Sequence, residues 1–275
     1  TNNGAYNFVP KPFTPQELKA SIEGITKNLY LRRMTKQLNT VGKQIRFQFL
    51  SVLSHELKSP INAIEGYLCI MEDRQVGNNL DDYELMIQRS LERIKGMRTL
   101  IMDMLDLTRL ESGKKARDVK KVNLVALMKV SKDTMSPMAI QKNLKINIDT
   151  DPNEIFYIAD QQEIEIIFNN LVSNAVKYNK DNGDVNCVIR EDEHSITISV
   201  SDTGIGMSED DISKLFQDFI RIKNEKTKGI SGSGLGLTIM KKIVEDVYNG
   251  TVSVTSKEDV GSTFTVKLPK ISYMG

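Results

Sequence analysis

The sequence predicts an α segment followed by an α/β segment: a helical hairpin that pairs into a four-helix bundle, then an α/β sandwich. Two observations carry this. From Leu18 to Leu105 the apolar residues recur at helical spacing, whereas beyond the charged run Lys114 to Lys121 they alternate in short period-two stretches set among helices. A helical stripe needs a partner surface and an alternating strand needs a sheet, so the change of period marks a change of domain.

Asn7 to Phe13 reads as a short strand and loop. Thr14-Pro15-Gln16-Glu17 then supplies an N-cap, a proline at the first helical position and a capping-box acid, so a helix starts there. Its apolar residues, Leu18, Ile22, Ile25 and Leu29, then Leu31, Met34, Leu38, Val41 and Ile45, have the spacing of a coiled-coil seam that shifts phase between Leu29 and Leu31. The pattern continues through Leu50, Leu53, Leu57, Ile61, Ile64 and Leu68 to the polar stretch Asp73 to Asn79. A second amphipathic helix carries Ile87, Leu91, Ile94, Ile101 and Leu105 and closes at Ser112-Gly113. One hairpin buries two such stripes poorly, so two hairpins are expected to pair in an obligate homodimer.

From about Val119 the expected strands are Leu144 to Ile148, Val185 to Arg190, Ser195 to Ser201, Thr251 to Thr255 and Thr263 to Leu268. Helices are expected from Asp160 through Lys177, with Glu163 completing a capping box, from Ser208, and after Gly236. Strands joined by hairpins, with helices between them, predict the α/β sandwich. The domain expectation is therefore residues 1–30, 31–115 and 119–270.

Composition narrows the function. The 275 residues carry 37 Lys and Arg against 36 Asp and Glu, a net charge of +1, so no basic field favours nucleic acid or anionic lipid. Cys69 and Cys187 lack the spacing of a disulfide framework or a zinc site. No apolar run reaches the length of a membrane span and the start lacks a signal-peptide pattern, so a cytoplasmic location is expected. The chain opens on Thr1 rather than Met, which predicts an upstream segment.

Two histidines are present. His194 follows Glu191-Asp192-Glu193 between two strand patterns, where an exposed hairpin residue is expected. His55 instead points roughly 160° away from the middle of the apolar stripe formed by Leu50, Leu53, Leu57, Ile61 and Ile64. That position excludes a core role and leaves a solvated side chain or a reactive one. Glu56 follows, Ser59 lies one turn on, and Pro60 cannot donate to the Glu56 carbonyl, which loosens the helix there. A neutral imidazole attacks phosphorus through one nitrogen when a carboxylate orients the other N–H, and Glu56 can supply that carboxylate.

The run Phe49-Leu50-Ser51-Val52-Leu53-Ser54-His55-Glu56-Leu57-Lys58-Ser59-Pro60-Ile61 resembles the phosphoacceptor box of two-component sensor histidine kinases. The resemblance implies that His55 is the nucleophile and Glu56 its helper, although the family more often has Arg and Thr at Lys58 and Ser59. It also implies that Ser59 occupies the position that orients water when such proteins dephosphorylate their regulator, with weak phosphatase activity expected of a serine.

The second domain should then hold ATP. Asn170-Leu171-Val172-Ser173-Asn174-Ala175-Val176-Lys177-Tyr178 resembles the family's N-box and sets Asn170, Asn174 and Lys177 near one helix face. In the resemblance Asn174 holds Mg2+, which keeps several waters and takes oxygen ligands, while Lys177 and Tyr178 contact nucleotide. Asp202-Thr203-Gly204-Ile205-Gly206 follows a strand, and the resemblance assigns Asp202 to the adenine amino group. Gly232-Ser233-Gly234-Leu235-Gly236-Leu237 opens a helix without the Lys-Ser/Thr of a Walker loop. In order, these blocks resemble the ATP fold shared by histidine kinases, Hsp90-type chaperones, type II topoisomerases and MutL proteins.

Phe216-Gln217-Asp218-Phe219-Ile220-Arg221 resembles the F-box, with Asp218 and Ile220 where a Pro and an aromatic are more usual, and makes Arg221 a phosphate ligand. The Lys-, Gly- and Ser-rich stretch after it is expected to form a mobile lid. Gly261-Ser262-Thr263-Phe264 matches the last glycine block and places Thr263 at the site, while Asn249 stands where Gly is frequent. At the other end, Gly4 to Phe13 followed by a capped helix resembles the close of a response-regulator receiver domain with Lys11 as switch lysine. The receiver's acceptor aspartate is absent from the sequence, so no phosphate is expected there. A receiver domain of a separate response regulator is the expected partner. An ATPase or chaperone on the same nucleotide fold, and a dimeric scaffold shaped by ATP, are the competing readings; the His55 box argues against both.

Overall fold

The computed structural model describes isolated positions between 14 and 54, then residues 56–77, 80–112, 117–216, 222, 224–227, 230, 232 and 234–270. The chain divides into two compact units, Thr1–Met86 and Ile87–Gly275.

In the first unit Gln16, Lys19, Glu23 and Thr26 are helical, in keeping with a helix after Thr14. The receiver-like strand, Lys11 and the seam around Leu29 and Leu31 lie outside the described residues. Helix α1 covers residues 56–72 and runs through Pro60 without a break. It ends in a turn where Asp73 N donates to Cys69 O (2.9 Å) and Gly77 N to Arg74 O (2.9 Å). Gly77 has φ +71°, a left-handed conformation that costs glycine little. Helix α2, Leu80–Ser112, places Asp81 and Asp82 in its first turn, where the helix dipole favours negative charge.

Within the second unit the remainder of α2 buries Leu100 and Leu107 but leaves Ile87, Leu91, Ile94, Ile101 and Leu105 between 44% and 59% exposed. The rest is built on a five-stranded sheet. Strands β1 (Val119–Asn123) and β3 (Phe156–Asp160) pair as a separate antiparallel ribbon. Strands β2 (Lys145–Asp151), β4 (Asp184–Glu191), β5 (Ser195–Asp202), β7 (Gly261–Pro269) and β6 (Thr251–Lys257) form the sheet in the order β2-β4-β5-β7-β6. Among the described residues the β2–β4 pair is parallel and the other pairs of this sheet are antiparallel.

Alternation sorts the two faces of this sheet. Val185, Cys187, Ile189, Ile196, Ile198, Val200, Phe264, Val266 and Leu268 are buried, while Asn186, Arg190, Thr197, Ser199, Thr265 and Lys267 on the other face are not. The buried face is covered by α3 (Leu124–Gln141), α4 (Gln161–Lys177) and α6 (Gly236–Lys242), which contribute Leu124, Met128, Ile164, Ile167, Phe168, Leu171 and Ile239 to the core. Each such side chain stabilises the fold by roughly 1.5–3 kcal/mol of transfer free energy. The short helix α5 is Glu209–Lys214, capped by the Ser208 hydroxyl accepting from Asp211 N.

The five expected strands are all present, each somewhat longer than the alternation suggested. Helix α3 and the β1–β3 ribbon were not expected. Pro137 inside α3 and the polar residues around it break the apolar periodicity, yet Asn123 caps the helix by accepting from Ala126 N (3.1 Å). At the start of α4, Asp160 does cap the helix, accepting from Gln162 N (2.9 Å), but Glu163 does not close a capping box. Instead the Tyr248 hydroxyl accepts from Asp160 N (3.1 Å) and donates to Glu163 Oε2 (2.5 Å), bridging the two residues. Arg117 reinforces this with a fork on Glu163, Nε to Oε1 at 2.9 Å and Nη2 to Oε2 at 2.6 Å. Burial, with Glu163 alongside, pushes the Tyr248 phenol well above its ordinary value. Tyr248 closes the π-helical turn Ile243–Val247 that continues α6.

Candidate functional site

His55 lies outside the described residues, and its neighbours are on α1. Glu56 is half-buried and Ser59 is exposed one turn on. His194 is an exposed turn residue, as expected: Asp192 Oδ1 accepts from His194 N (2.8 Å) and Ser195 N (2.7 Å). Its side chain is 85% exposed.

The nucleotide-site positions converge on the end of α4. Burial of Ile164, Ile167, Phe168, Leu171, Val172, Ala175 and Val176 against the core leaves Asn170, Asn174 and Lys177 half-buried. Asn170 Nδ2 donates to Ile166 O (2.8 Å), which aims its Oδ1 at Gly236: a Cβ there would collide with that oxygen. A side chain at Gly236 would therefore have to displace the Asn170 amide where the start of α6 approaches α4. Leu235, fully buried, anchors this approach, and Gly234 adopts φ +74°. A Cβ at Gly232 would meet no atom within 4 Å among the described residues.

The Asp202–Gly206 turn leaves the end of β5 and meets α4 through backbone contacts. Ile205 N donates to Tyr178 O (3.1 Å), and Gly204 packs so closely on that carbonyl that a side chain would clash. On its other flank Ile205 O accepts from Asp259 N (2.8 Å), and Gly206, at φ +61°, presses on the Lys257 carbonyl. Asp202 Oδ1 accepts from Gly204 N (2.8 Å) and Ser262 N (3.3 Å). Its Oδ2 has no hydrogen bond among the described residues. Burial pushes the carboxyl up to about 6, against the opposing effect of the two amide bonds. Thr263, half-buried on β7, stands opposite Ser201 in the register.

Asn179 and Thr203 belong to this site although the sequence reading did not single them out. Asn179, 5% exposed, donates from Nδ2 to Asp184 O (3.0 Å), and its Oδ1 accepts from Lys180 N (3.0 Å) and from the Thr203 hydroxyl (3.3 Å). Thr203 Oγ1 accepts from Asp184 N (2.9 Å). A polar residue directly after Lys177-Tyr178 was the available signal. Arg221 and most of the F-box lie outside the described residues. Of the expected lid, the turn Glu225–Thr227 is described, with Lys226 Nζ bonded to Glu258 Oε1 (3.1 Å) and Asp259 Oδ1 (2.7 Å).

These residues fit a nucleotide. A half-buried carboxylate with one oxygen tied down and the other able to accept suits a ring amino group, and glycines let backbone approach a flat ligand. The Asn174 amide oxygen suits a hard cation shared with phosphates. No group of three or more His, Cys, Asp and Glu side chains among the described residues forms a separate metal cage. No helix among the described residues is long and apolar enough to cross a membrane.

Residues 45–113 match the His Kinase A (phospho-acceptor) domain, and residues 159–272 match the histidine kinase-, DNA gyrase B-, and HSP90-like ATPase family. Sensor protein GacS of Pseudomonas syringae pv. syringae is 30% identical over 273 residues, covering 93% of this chain and 30% of the relative. The chain therefore spans under a third of that protein's length. Among solved structures, Acinetobacter baumannii histidine kinase AdeS aligns with a TM-score of 0.63 at 20% identity, over 79% of this chain and 98% of that one. Histidine kinase ThkA, in complex with response regulator protein TrrA, aligns with a TM-score of 0.64 at 23% identity, over 83% of this chain and 63% of that one. At these identities the likeness to AdeS and ThkA is one of fold.

Proposed function

Because this chain belongs to the two-component histidine kinases, with a phosphoacceptor domain followed by an ATPase domain, we propose that it transfers the γ-phosphoryl group of ATP to its own His55 and then to an aspartate of a response-regulator receiver domain. The observation that carries this is the occurrence, in one chain, of the His55-Glu56 box and of a half-buried Asp202 facing the glycine turn of an ATP fold. An imidazole nitrogen of His55 attacks the γ-phosphorus, the bond to the bridging oxygen breaks, and ADP leaves with those electrons. Glu56 holds the other ring N–H, so the nucleophilic nitrogen keeps its lone pair. Asp202 accepts from the adenine amino group, and Gly204, Ile205 and Gly206 line the base. Asn170, Lys177, Tyr178, Arg221, Gly232, Gly234, Leu235, Gly236 and Thr263 complete the ATP-binding set. Asn174 would hold Mg2+, which neutralises phosphate charge when bound.

The domains are taken as 1–30, the remnant of a receiver and the start of a connecting helix, 31–115 for dimerisation and phosphotransfer, and 119–270 for ATP. The exposed stripe on α2 supports a homodimer. The crystallised ThkA–TrrA pair supports a receiver domain as the partner. A supply of ATP calls for a cytoplasmic setting. Ser59, exposed one turn from His55, makes weak phosphatase activity part of the proposal.

Incubation with γ-labelled ATP tests the reading. The label is expected on the protein, acid-labile and base-stable, and His55→Gln should abolish it while ATP still binds. Undiminished acid-labile label on that variant, or release of all label as free phosphate, overturns the proposal. Decay of a phosphorylated cognate regulator tests Ser59 separately: Ser59→Ala should slow it and Ser59→Thr hasten it, and equal decay with Ser59→Ala and parent removes that part.

A further inference from the structure

Helix α4 ends at Lys177, where Tyr178 N donates to Asn174 O (3.0 Å) and Asn179 N to Val176 O (3.4 Å), and the helix itself supplies no further amides for its last carbonyls. An ammonium group offers three donors. Lys142, the residue after α3, directs its Nζ at Lys177 O (2.7 Å), Asn179 O (3.0 Å) and Val176 O (3.3 Å). Its charge thus sits at the negative end of the α4 dipole. Its backbone is tied to the same loop, since Lys142 O accepts from Asn182 N (2.9 Å). The next residues continue the stitching: Asn143 Nδ2 donates to Asn182 Oδ1 (2.6 Å) and Lys145 N to Gly183 O (3.1 Å).

The loop held in this way also supports the opposite wall of the site. Tyr178 O receives the Ile205 amide, and the Asn179 side chain receives Thr203. Asp202 lies directly before Thr203. Consequently the helix end carrying Asn174, Lys177 and Tyr178 and the turn carrying Asp202, Gly204 and Gly206 share one support, and three of its carbonyls, Val176, Lys177 and Asn179, meet on the Lys142 ammonium group. We propose that Lys142 is a positioning residue of the ATP site, setting the distance between its phosphate and adenine walls. This rests on the ATP-site reading given above. Lys142 spends its donors on backbone carbonyls, so it acts through Lys177, Tyr178 and Asn179 and not on the nucleotide.

Lys142→Met keeps the stem and removes the donors. For this variant the Kd and KM for Mg-ATP are expected to rise about tenfold or more, with kcat at saturating ATP within about threefold of parent. Lys142→Arg, which keeps charge and donors, should recover affinity to within about threefold, and Lys142→Gln should fall between. A cap that served stability alone would lower the melting temperature and leave the Kd of the folded fraction unmoved. Unchanged Kd in Lys142→Met, with parent binding Mg-ATP and Asp202→Ala failing to, overturns the proposal. Failure of the parent itself to bind overturns the reading on which it rests. Should Lys142→Met not fold, the other two variants decide: equal Kd in Lys142→Gln, Lys142→Arg and parent refutes the role, and a graded rise upholds it.

Discussion

Asp202 is asked to be charged where charge is costly. Its carboxyl, ordinarily near 3.8, is pushed up to about 6 by burial. Between these values the folded chain binds more protons than the unfolded one, so this group's stabilising contribution is present at low pH and is lost as pH rises through about 6. At neutral pH a buried negative charge remains without full compensation. Asp202→Asn keeps an oxygen for Gly204 N and Ser262 N while removing the charge. The variant is therefore expected to melt above the parent at pH 7 to 8, with the difference shrinking as pH falls from 6 towards 4. Nucleotide binding should move the other way: the variant loses about 1–3 kcal/mol of ATP affinity, and the parent's own affinity falls below pH 6 as the acceptor is protonated. Melting curves and calorimetric titration over this range check both; an Asp202→Asn variant that binds ATP like the parent would remove Asp202 from the site. Asp202 was legible in the sequence because an acid followed by spaced glycines at a strand end is a local pattern. Asn179 was not, because its role exists only once β4, β5 and the end of α4 have been brought together.

At the scale of elements, the bridge from Asp160 through Tyr248 to Glu163 joins the first turn of α4 to the end of the π-helical turn after α6. Tyr248→Phe removes one hydroxyl and leaves the buried Asp160 N–H without its acceptor. A loss of about 1–3 kcal/mol in urea unfolding is expected, with no change in ATP affinity; an unchanged midpoint would mean that water replaces the hydroxyl. Here the sequence misled in an instructive way. The spacing of Asp160 and Glu163 fits a capping box, and the N-cap forms, but an aromatic residue far along the chain takes the reciprocal position. Helix α3 went unseen because Pro137 and its polar neighbours interrupt its apolar period, and tertiary packing of Leu124, Leu127 and Met128 supplies what local pattern lacks. The β1–β3 ribbon is only two strands wide, so its burial alternates too briefly to be read.

At the scale of the whole molecule, the α2 stripe and the sheet make opposite statements about water. Ile87, Leu91, Ile94, Ile101 and Leu105 recur at spacings of four, three, seven and four, one face of a helix, and stay exposed. In the proposed homodimer, replacing Leu91 and Ile94 together by Glu should leave a monomer in sedimentation, since each apolar side chain buried in such an interface would contribute roughly 1.5–3 kcal/mol. A double variant that still sediments as a dimer would place the interface elsewhere. The sheet has already buried its apolar face and needs nothing further. It is also joined in an order that separates two concerns. Strands β5 and β7 lie side by side, with Asp202 opposite Ser262, yet the chain between those two residues detours through α5, the segment after it, α6 and β6. The entropy of closing such a loop grows only with the logarithm of its length, about 0.6 kcal/mol for each doubling. Insertions and deletions between α5 and α6 therefore leave the pairing of the sheet almost untouched, so that stretch can vary in length among descendants of this chain while Asp202 and Ser262 stay opposite one another.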